Sequence, residues 1–383
     1  MDFDLQWLLI GLPVAFGLGW LASRFDLRQF RRDSRDAPRA YFKGLNLLLN
    51  EQQDKAIDAF IEAVQNDPDT TELHFALGNL FRRRGEFERA VRVHQHLLQR
   101  ADLPATERDR AQHALAQDFI KAGLFDRAEQ AFLALDGTPY QAEAQLALLT
   151  LYERSRDWQR AIDIAARIEA TGGASLATRV AHYWCELAQA ADDRGEAAAA
   201  DRALQRARQA EPTAARALVM SGRRLARQGR PLEALVAWDE LRRVRPASFA
   251  LVAADYADAA AAAGRAAEAR AALTELARHE PGIDLLRALA RLQPDDPAAA
   301  RERLLALLRQ QPTLSAALDL LAGGPGTIDA DTLPALRQAL ATAAKPLQRY
   351  RCAACGFEAQ HWFWQCPGCL GWDSYPPRRI EEQ

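Results

Sequence analysis

Apolar residues run from Leu5 to Ala22 (LQWLLIGLPVAFGLGWLA) without a single charge. As a helix with about 1.5 Å rise per residue, this run reaches about 27 Å, near the hydrocarbon thickness of a bilayer. Trp7 and Trp20 stand near its ends, where indoles favour the lipid–water boundary. The start, Met1-Asp2-Phe3-Asp4, is acidic, whereas Arg24, Arg28, Arg31, Arg32, Arg35 and Arg39 follow the run. A cleaved signal peptide would need a basic start and a small-residue cleavage site, and a buried core helix is the remaining reading. The charge asymmetry predicts an uncleaved single anchor over residues 1–23, N-terminus outside, bulk in the cytoplasm. An Arg-rich juxtamembrane linker follows over residues 24–36.

From residue 37 the pattern becomes helical and repetitive. Two units of 34 residues, 37–70 and 71–104, open the series. Gly44, Ala56, Phe60 and Pro68 occupy positions 8, 20, 24 and 32 of the first. Leu77, Gly78, Phe81 and Ala90 occupy positions 7, 8, 11 and 20 of the second, with Gly85 at its turn. The position-20 alanine recurs at Ala128, Ala161, Ala200, Ala234, Ala269 and Ala300, in steps of 31 to 39 residues. Turn glycines recur at Gly123, Gly195, Gly229 and Gly264, closing prolines at Pro212, Pro246, Pro281 and Pro312, and Trp184 takes the large-residue position of the fifth unit. This is the tetratricopeptide pattern. Small residues let paired helices approach, Gly ends the first helix and Pro stops the second. One pair cannot bury its apolar face alone, so neighbours stack. The expected fold is all-α: a superhelical solenoid of about eight tetratricopeptide repeats over residues 37–314, its last unit (281–314) poorly matched. A coiled coil would need a sustained heptad, which the Gly/Pro punctuation interrupts. A Gly-Pro-Gly break and an amphipathic stretch, Leu333 to Ala344, then predict a capping helix or hinge over 315–345.

Beyond Pro346 the chain turns aromatic, Gly-rich and Cys-rich. Cys352-Ala-Ala-Cys355-Gly356 is followed, ten residues on, by Cys366-Pro367-Gly368-Cys369. Two facing CxxC knuckles offer four soft thiolates in a tetrahedron, suited to Zn and also to Fe. A thioredoxin-type dithiol would open a helix after a strand, and disulfides fit poorly with a cytoplasmic location. Residues 346–383 therefore read as a small zinc-ribbon-like domain binding one structural metal ion through Cys352, Cys355, Cys366 and Cys369. His361 reads as a surface residue, since four thiolates already fill the shell. Trp362, Phe363, Trp364 and Trp372 are expected to pack over the knuckles, because so short a ribbon has almost no other core; an exposed aromatic docking patch is the alternative. Cys185 stands apart and reads as a small buried or groove-side residue.

Length and charge narrow the function. The 383 residues suggest two or three folded units, and 49 Lys+Arg against 51 Asp+Glu leave a net charge of −2, too little positive field for a nucleic-acid binder. No P-loop, GxSxG, HExxH or dinucleotide fingerprint occurs, so the chain reads as an adaptor rather than an enzyme. Arg82 and Arg83 in the second unit, with Arg223 and Arg227 in the sixth, fall at first-helix positions that usually face inward. They are candidate contacts for acidic groups on a client; solvated surface arginines are the alternative. Two other functions stay open: an electron-transfer protein using iron in the four-Cys centre, and a general membrane-tethered co-chaperone.

Anchor, Arg-rich flank, tandem tetratricopeptide units and two-knuckle tail, in this order, resemble the lipopolysaccharide assembly protein B (LapB/YciM) family of Gram-negative bacteria. The resemblance spans nearly the whole chain, and Tyr350-Arg351-Cys352-Ala-Ala-Cys355-Gly356-Phe357 with Cys366-Pro367-Gly368-Cys369 and Trp372 is its most specific part. It implies a rubredoxin-like metal domain folded against the repeats. It also implies an inner-membrane adaptor that brings the deacetylase LpxC to the FtsH protease for degradation, restrained through the anchor by an inner-membrane lipopolysaccharide sensor protein. A homodimer is compatible with the sequence. The second knuckle departs from the rubredoxin pattern, with Leu370 where Gly is usual and Gly371 one place later; this weakens an iron redox role but not metal binding.

Overall fold

The computed structural model describes residues 42–47, 50, 52–66, 70–310, 313–322 and 333–383, together with residues 16, 17 and 20. The expected anchor and linker otherwise lie outside these residues, as do Pro68, Pro312 and the Gly-Pro-Gly break. Among the described residues no helix is long and apolar enough to cross a membrane.

The chain divides into two compact units, one ending at Arg156 and one beginning at Asp157. The first contains α1 (Gln53–Asn66), α2 (Thr71–Arg84), α3 (Phe87–Gln99), α4 (Ala105–Lys121), α5 (Phe125–Leu133) and α6 (Gln141–Ser155). In the second, α7 (Trp158–Ala170), α8 (Ala177–Asp193), α9 (Ala197–Ala210), α10 (Ala215–Arg227) and α11 (Pro231–Val244) lead to a 3-10 segment, Pro246–Val252. Then come α12 (Ala253–Ala262), α13 (Ala266–His279), α14 (Ile283–Leu292), α15 (Pro297–Gln310), α16 (Leu314–Ala322) and α17 (Leu333–Leu347). The ribbon closes the chain with β1 (Tyr350–Arg351) antiparallel to β2 (Glu358–Ala359), Tyr350 opposite Ala359, and a last 3-10 turn at Ile380–Glu382.

Helices join as hairpins because small residues meet large ones at one fixed separation. A Cβ on Gly44 would lie 2.7 Å from the Phe60 ring, one on Gly78 2.5 Å from the His94 ring, and one on Gly222 2.2 Å from the Trp238 indole. In each case the partner is sixteen residues on, across the hairpin. Trp238 is completely buried and anchors a core with Leu218, Leu241, Phe249, Tyr256 and Leu289. Ala56, Ala90, Ala128, Ala161, Ala200, Ala234 and Ala269 are all 0–2% exposed, which makes the alanine register a packing requirement; Ala300, in the poorly matched last unit, is only half-buried.

Five residues before each of six of these alanines the backbone turns left-handed. Gly85, Gly123, Gly195, Gly229 and Gly264 take φ between 68° and 86°, and in the remaining hairpin the position falls to Arg156, at φ 57°. Its N–H closes α6 by donating toward the carbonyls of Glu153 and Tyr152, so the turn is required although the residue disfavours it. An L side chain in this region costs roughly 1–2 kcal/mol, partly offset by the lower unfolded-state entropy of a non-Gly residue. Arg156→Gly is therefore expected to stabilise the chain by about 1 kcal/mol, read as a higher urea midpoint at unchanged slope.

Candidate metal centre and its seat on the repeats

The two knuckles are built alike. In the first, Gly356 N–H donates to the Cys352 carbonyl at 2.9 Å and Cys352 N–H to the Phe357 carbonyl at 3.0 Å. In the second, Leu370 N–H donates to Cys366 at 2.8 Å and Cys366 N–H to Gly371 at 2.9 Å. Leu370 thus occupies the place of Gly356, and takes a left-handed φ of 60° against 77°. The unusual Leu370-Gly371 order leaves the knuckle intact, with the backbone conformation of a glycine imposed on a leucine. Leu370→Gly should relieve about 1 kcal/mol of this strain and slow metal loss to a chelator several-fold; equal loss rates would contradict the reading.

All four Sγ atoms lie within 4.8 Å of one another, with Cys352–Cys369 at 3.8 Å and Cys355–Cys366 at 3.6 Å. A tetrahedral ion with metal–sulfur bonds of about 2.3 Å has sulfur–sulfur edges of about 3.8 Å, so the cage fits Zn or Fe. Cys352 and Cys366 are buried, Cys355 and Cys369 exposed. Burial opposes charge on Cys352, but the Ser374 hydroxyl and the Cys355 and Ala354 N–H groups outweigh it and bring that thiol down to about 6. Cys355 goes the other way, to about 12: the Phe357 N–H favours its thiolate, yet burial and its three sulfur neighbours together push it up. Four sulfurs this close cannot all ionise without a cation among them. The four cysteines therefore form a cluster suited to metal binding. Cys185, by contrast, is buried in α8 and burial pushes its thiol up to about 12, so it is inert.

The ribbon's aromatics divide their labour. Trp362 and Phe363 pack with Tyr350 and Tyr375 around Cys352 and Cys366; Trp362 Nε1 donates to the Tyr375 carbonyl at 3.1 Å, and the Tyr375 hydroxyl to the Phe357 carbonyl at 3.0 Å. Trp364 and Trp372 instead face the repeats. Trp372 stacks on His182 of α8 with ring centroids 4.4 Å apart, edge-on to Trp158 and Tyr183. His182 Nε2 lies 3.0 Å from an Asp373 carboxylate oxygen. Trp364 packs against the Trp238 core, with the Arg216 guanidinium 5.9 Å over its ring. Farther along, Arg379 reaches Asp284 of α14 at 3.1 Å, Arg378 reaches Glu280 at 2.8 Å, and Ser315 of α16 donates to Glu381. The sequence marked none of these contacts, since His182 and Asp373 are 191 residues apart.

The four candidate arginines fall in both units. Arg82 donates to Asp118 at 2.8 Å, to the Ala114 carbonyl at 3.2 Å and to Asn79 at 2.6 Å. The other Asp118 oxygen meets His94 Nδ1 at 2.5 Å, and both Asp118 and His94 are fully buried. Arg82 is thus bound into a buried triad, while the neighbouring Arg83 is exposed. On α10, Arg223 donates to Asp255 at 2.8 Å and to the Leu251 carbonyl at 2.7 Å; Arg227, 69% exposed, approaches Asp192 at 3.4 Å.

A family model described as a rubredoxin metal binding domain matches residues 350–376, and a tetratricopeptide repeat model matches residues 41–101. A tetratricopeptide repeat protein from Parabacteroides merdae has a solved structure similar over 80% of this chain and 98% of its own, at 15% identity and TM-score 0.33. Lipopolysaccharide assembly protein B of Haemophilus influenzae is 27% identical over 398 residues, 99% of each chain. Lipopolysaccharide assembly protein B of Escherichia coli (strain K12) is 33% identical over 389 residues, 98% of each chain. Alignment from end to end at that identity, with the rubredoxin model falling on the four convergent cysteines, shows that this chain belongs to the lipopolysaccharide assembly protein B family.

Proposed function

We propose that this protein is a membrane-tethered adaptor controlling lipopolysaccharide synthesis at the bacterial inner membrane, its bulk on the cytoplasmic side. In this reading the helical hairpins hold client proteins, bringing the deacetylase LpxC to the FtsH protease, and an inner-membrane lipopolysaccharide sensor protein restrains it through the anchor. What carries the reading is the seat of the ribbon. Trp372 and Asp373 on α8, with Arg378 and Arg379 at α13 and α14, join the metal knuckles and the helices into one surface. Four protein thiolates complete a metal shell and leave no position for a substrate, so the ion's role is structural. Zinc is the metal proposed, because it holds this geometry without redox chemistry. Arg83, Arg223 and Arg227 are proposed client contacts; Arg82 supports them from its triad.

The test is the half-life of LpxC in cells after protein synthesis is stopped. Depleting the adaptor should lengthen it several-fold, and crosslinking in intact membranes should recover both LpxC and FtsH. An unchanged half-life refutes the reading.

A further inference from the structure

A cavity of about 590 Å³ lies where the ribbon meets the helices, within the roughly 300–1,000 Å³ usual for ligand pockets. One side is formed by Val219 and Arg223 of α10, Ala250 and Ala254 near the start of α12, and Arg287 and Arg291 of α14. The other is the ribbon itself: Tyr350, His361, Trp362, Trp364 and Arg379. Its charged lining holds four guanidiniums against two carboxylates, Asp255 and Asp284.

Each guanidinium is already oriented. Arg223 is held by Asp255 at 2.8 Å, Arg287 by Asp319 at 2.7 Å, Arg291 by Asp258 at 2.7 Å and Arg379 by Asp284 at 3.1 Å. A guanidinium carries five N–H donors, so these pairs fix the side chains while leaving donors for a second acceptor. Arg223, Arg287 and Arg291 keep 49, 42 and 53% of their side-chain surface exposed. Small residues on the floor admit a peptide backbone, and indole faces give an apolar side chain a planar partner. An acyl chain would find only Val219, Leu251 and two alanines to cover it, too little to bury a lipid tail.

We infer that this groove binds an acidic segment of a client protein, its carboxylates on Arg223, Arg287 and Arg291 and an apolar side chain against Trp362 and Trp364. The inference rests on the adaptor reading above and deepens it: the ribbon is one wall of the client site, so metal loading and client capture are coupled through that wall. Carboxylates gain charge-assisted, bidentate bonds here, and binding weakens with salt as exposed pairs are screened.

The probe is a fluorescein-labelled nonapeptide of alternating Glu and Phe, titrated by anisotropy into the full-length, zinc-loaded protein, beside the same peptide with Lys for Glu. The Glu peptide should bind and the Lys peptide should not. Two variants approach from opposite sides: Arg287→Ala with Arg291→Ala on the helix, and His361→Glu on the ribbon, where the side chain is exposed. Each should weaken the Glu peptide at least tenfold with helix content and zinc stoichiometry unchanged. Equal binding of both peptides, or an affinity that neither variant moves, overturns the groove. Displacement of the peptide by phosphatidylglycerol vesicles that themselves require the same arginines would assign the site to lipid and also overturn it. LpxC half-life reads the adaptor function independently. Regulated turnover without peptide binding sinks the groove alone; peptide binding without regulated turnover sinks the adaptor.

Discussion

Replacing Cys352 and Cys355 by Ser unfolds the ribbon and frees it from the helices, with complete loss of metal. The ribbon's own buried cluster is Cys352, Cys366 and Tyr375, with Tyr350, Trp362 and Phe363 against it; two of its anchors are themselves proposed metal ligands. So small a core cannot offset the chain entropy of ordering the module. Structural zinc contributes on the order of 10–16 kcal/mol in isolated zinc-finger peptides, which exceeds anything the remaining contacts supply. The readout is a red shift of tryptophan emission as Trp364 and Trp372 leave His182 and the Trp238 core, with zinc content falling from one ion to none. LpxC half-life should lengthen as it does on depletion. A double variant that stays folded and active would refute the structural-metal account, whereas Cys185→Ser, inside α8, should leave zinc content untouched.

Asp118→Ala is the second large effect expected, at about 3–5 kcal/mol of destabilisation. Asp118 is fully buried and is the shared acceptor of Arg82 and His94, which belong to the preceding hairpin, α2 and α3. Removing the carboxylate leaves a largely buried guanidinium without its counter-charge, and desolvation that the pair had offset is no longer compensated. Urea unfolding of the whole chain measures this, and a double-mutant cycle with Arg82→Ala isolates the coupling: the double variant should be less destabilised than the two single losses added together. Additivity would show that the two side chains act separately.

Much of the architecture was legible because hairpin packing repeats a rule locally. The position-20 alanines, the turn glycines and the small-to-large pairing at Gly44, Gly78 and Gly222 each recur within one unit, so periodicity exposes them. The metal cluster was legible for the same reason, since each CxxC is a local knuckle and only the meeting of two had to be inferred. Arg156 and Leu370 were not legible as turn residues: a left-handed backbone at a non-Gly leaves no mark in composition. Nor were the partners of Arg82 and Trp372. Asp118 lies 36 residues from Arg82, and the Trp372 seat on His182 joins segments that no local pattern relates. The sequence located the ribbon's tryptophans over the knuckles as a group; in the fold Trp362 and Phe363 stay there, while Trp364 and Trp372 form the joint to the helices.

The fixed spacings within each hairpin determine where this gene can change length. From the close-packed glycine to the buried alanine is twelve residues at Gly44–Ala56, Gly78–Ala90 and Gly222–Ala234 alike, and from the turn residue to that alanine is always five. Successive alanines nevertheless stand 31 to 39 residues apart. All the slack therefore falls after the alanine, in the later part of the second helix and the connector to the next pair. One codon gained or lost between Gly78 and Ala90 would turn every following side chain of that hairpin by about 100° away from its partner. The same change in a connector such as 101–104 or 171–175 only lengthens a surface loop. Insertions and deletions among relatives should accordingly collect between hairpins and be excluded within them.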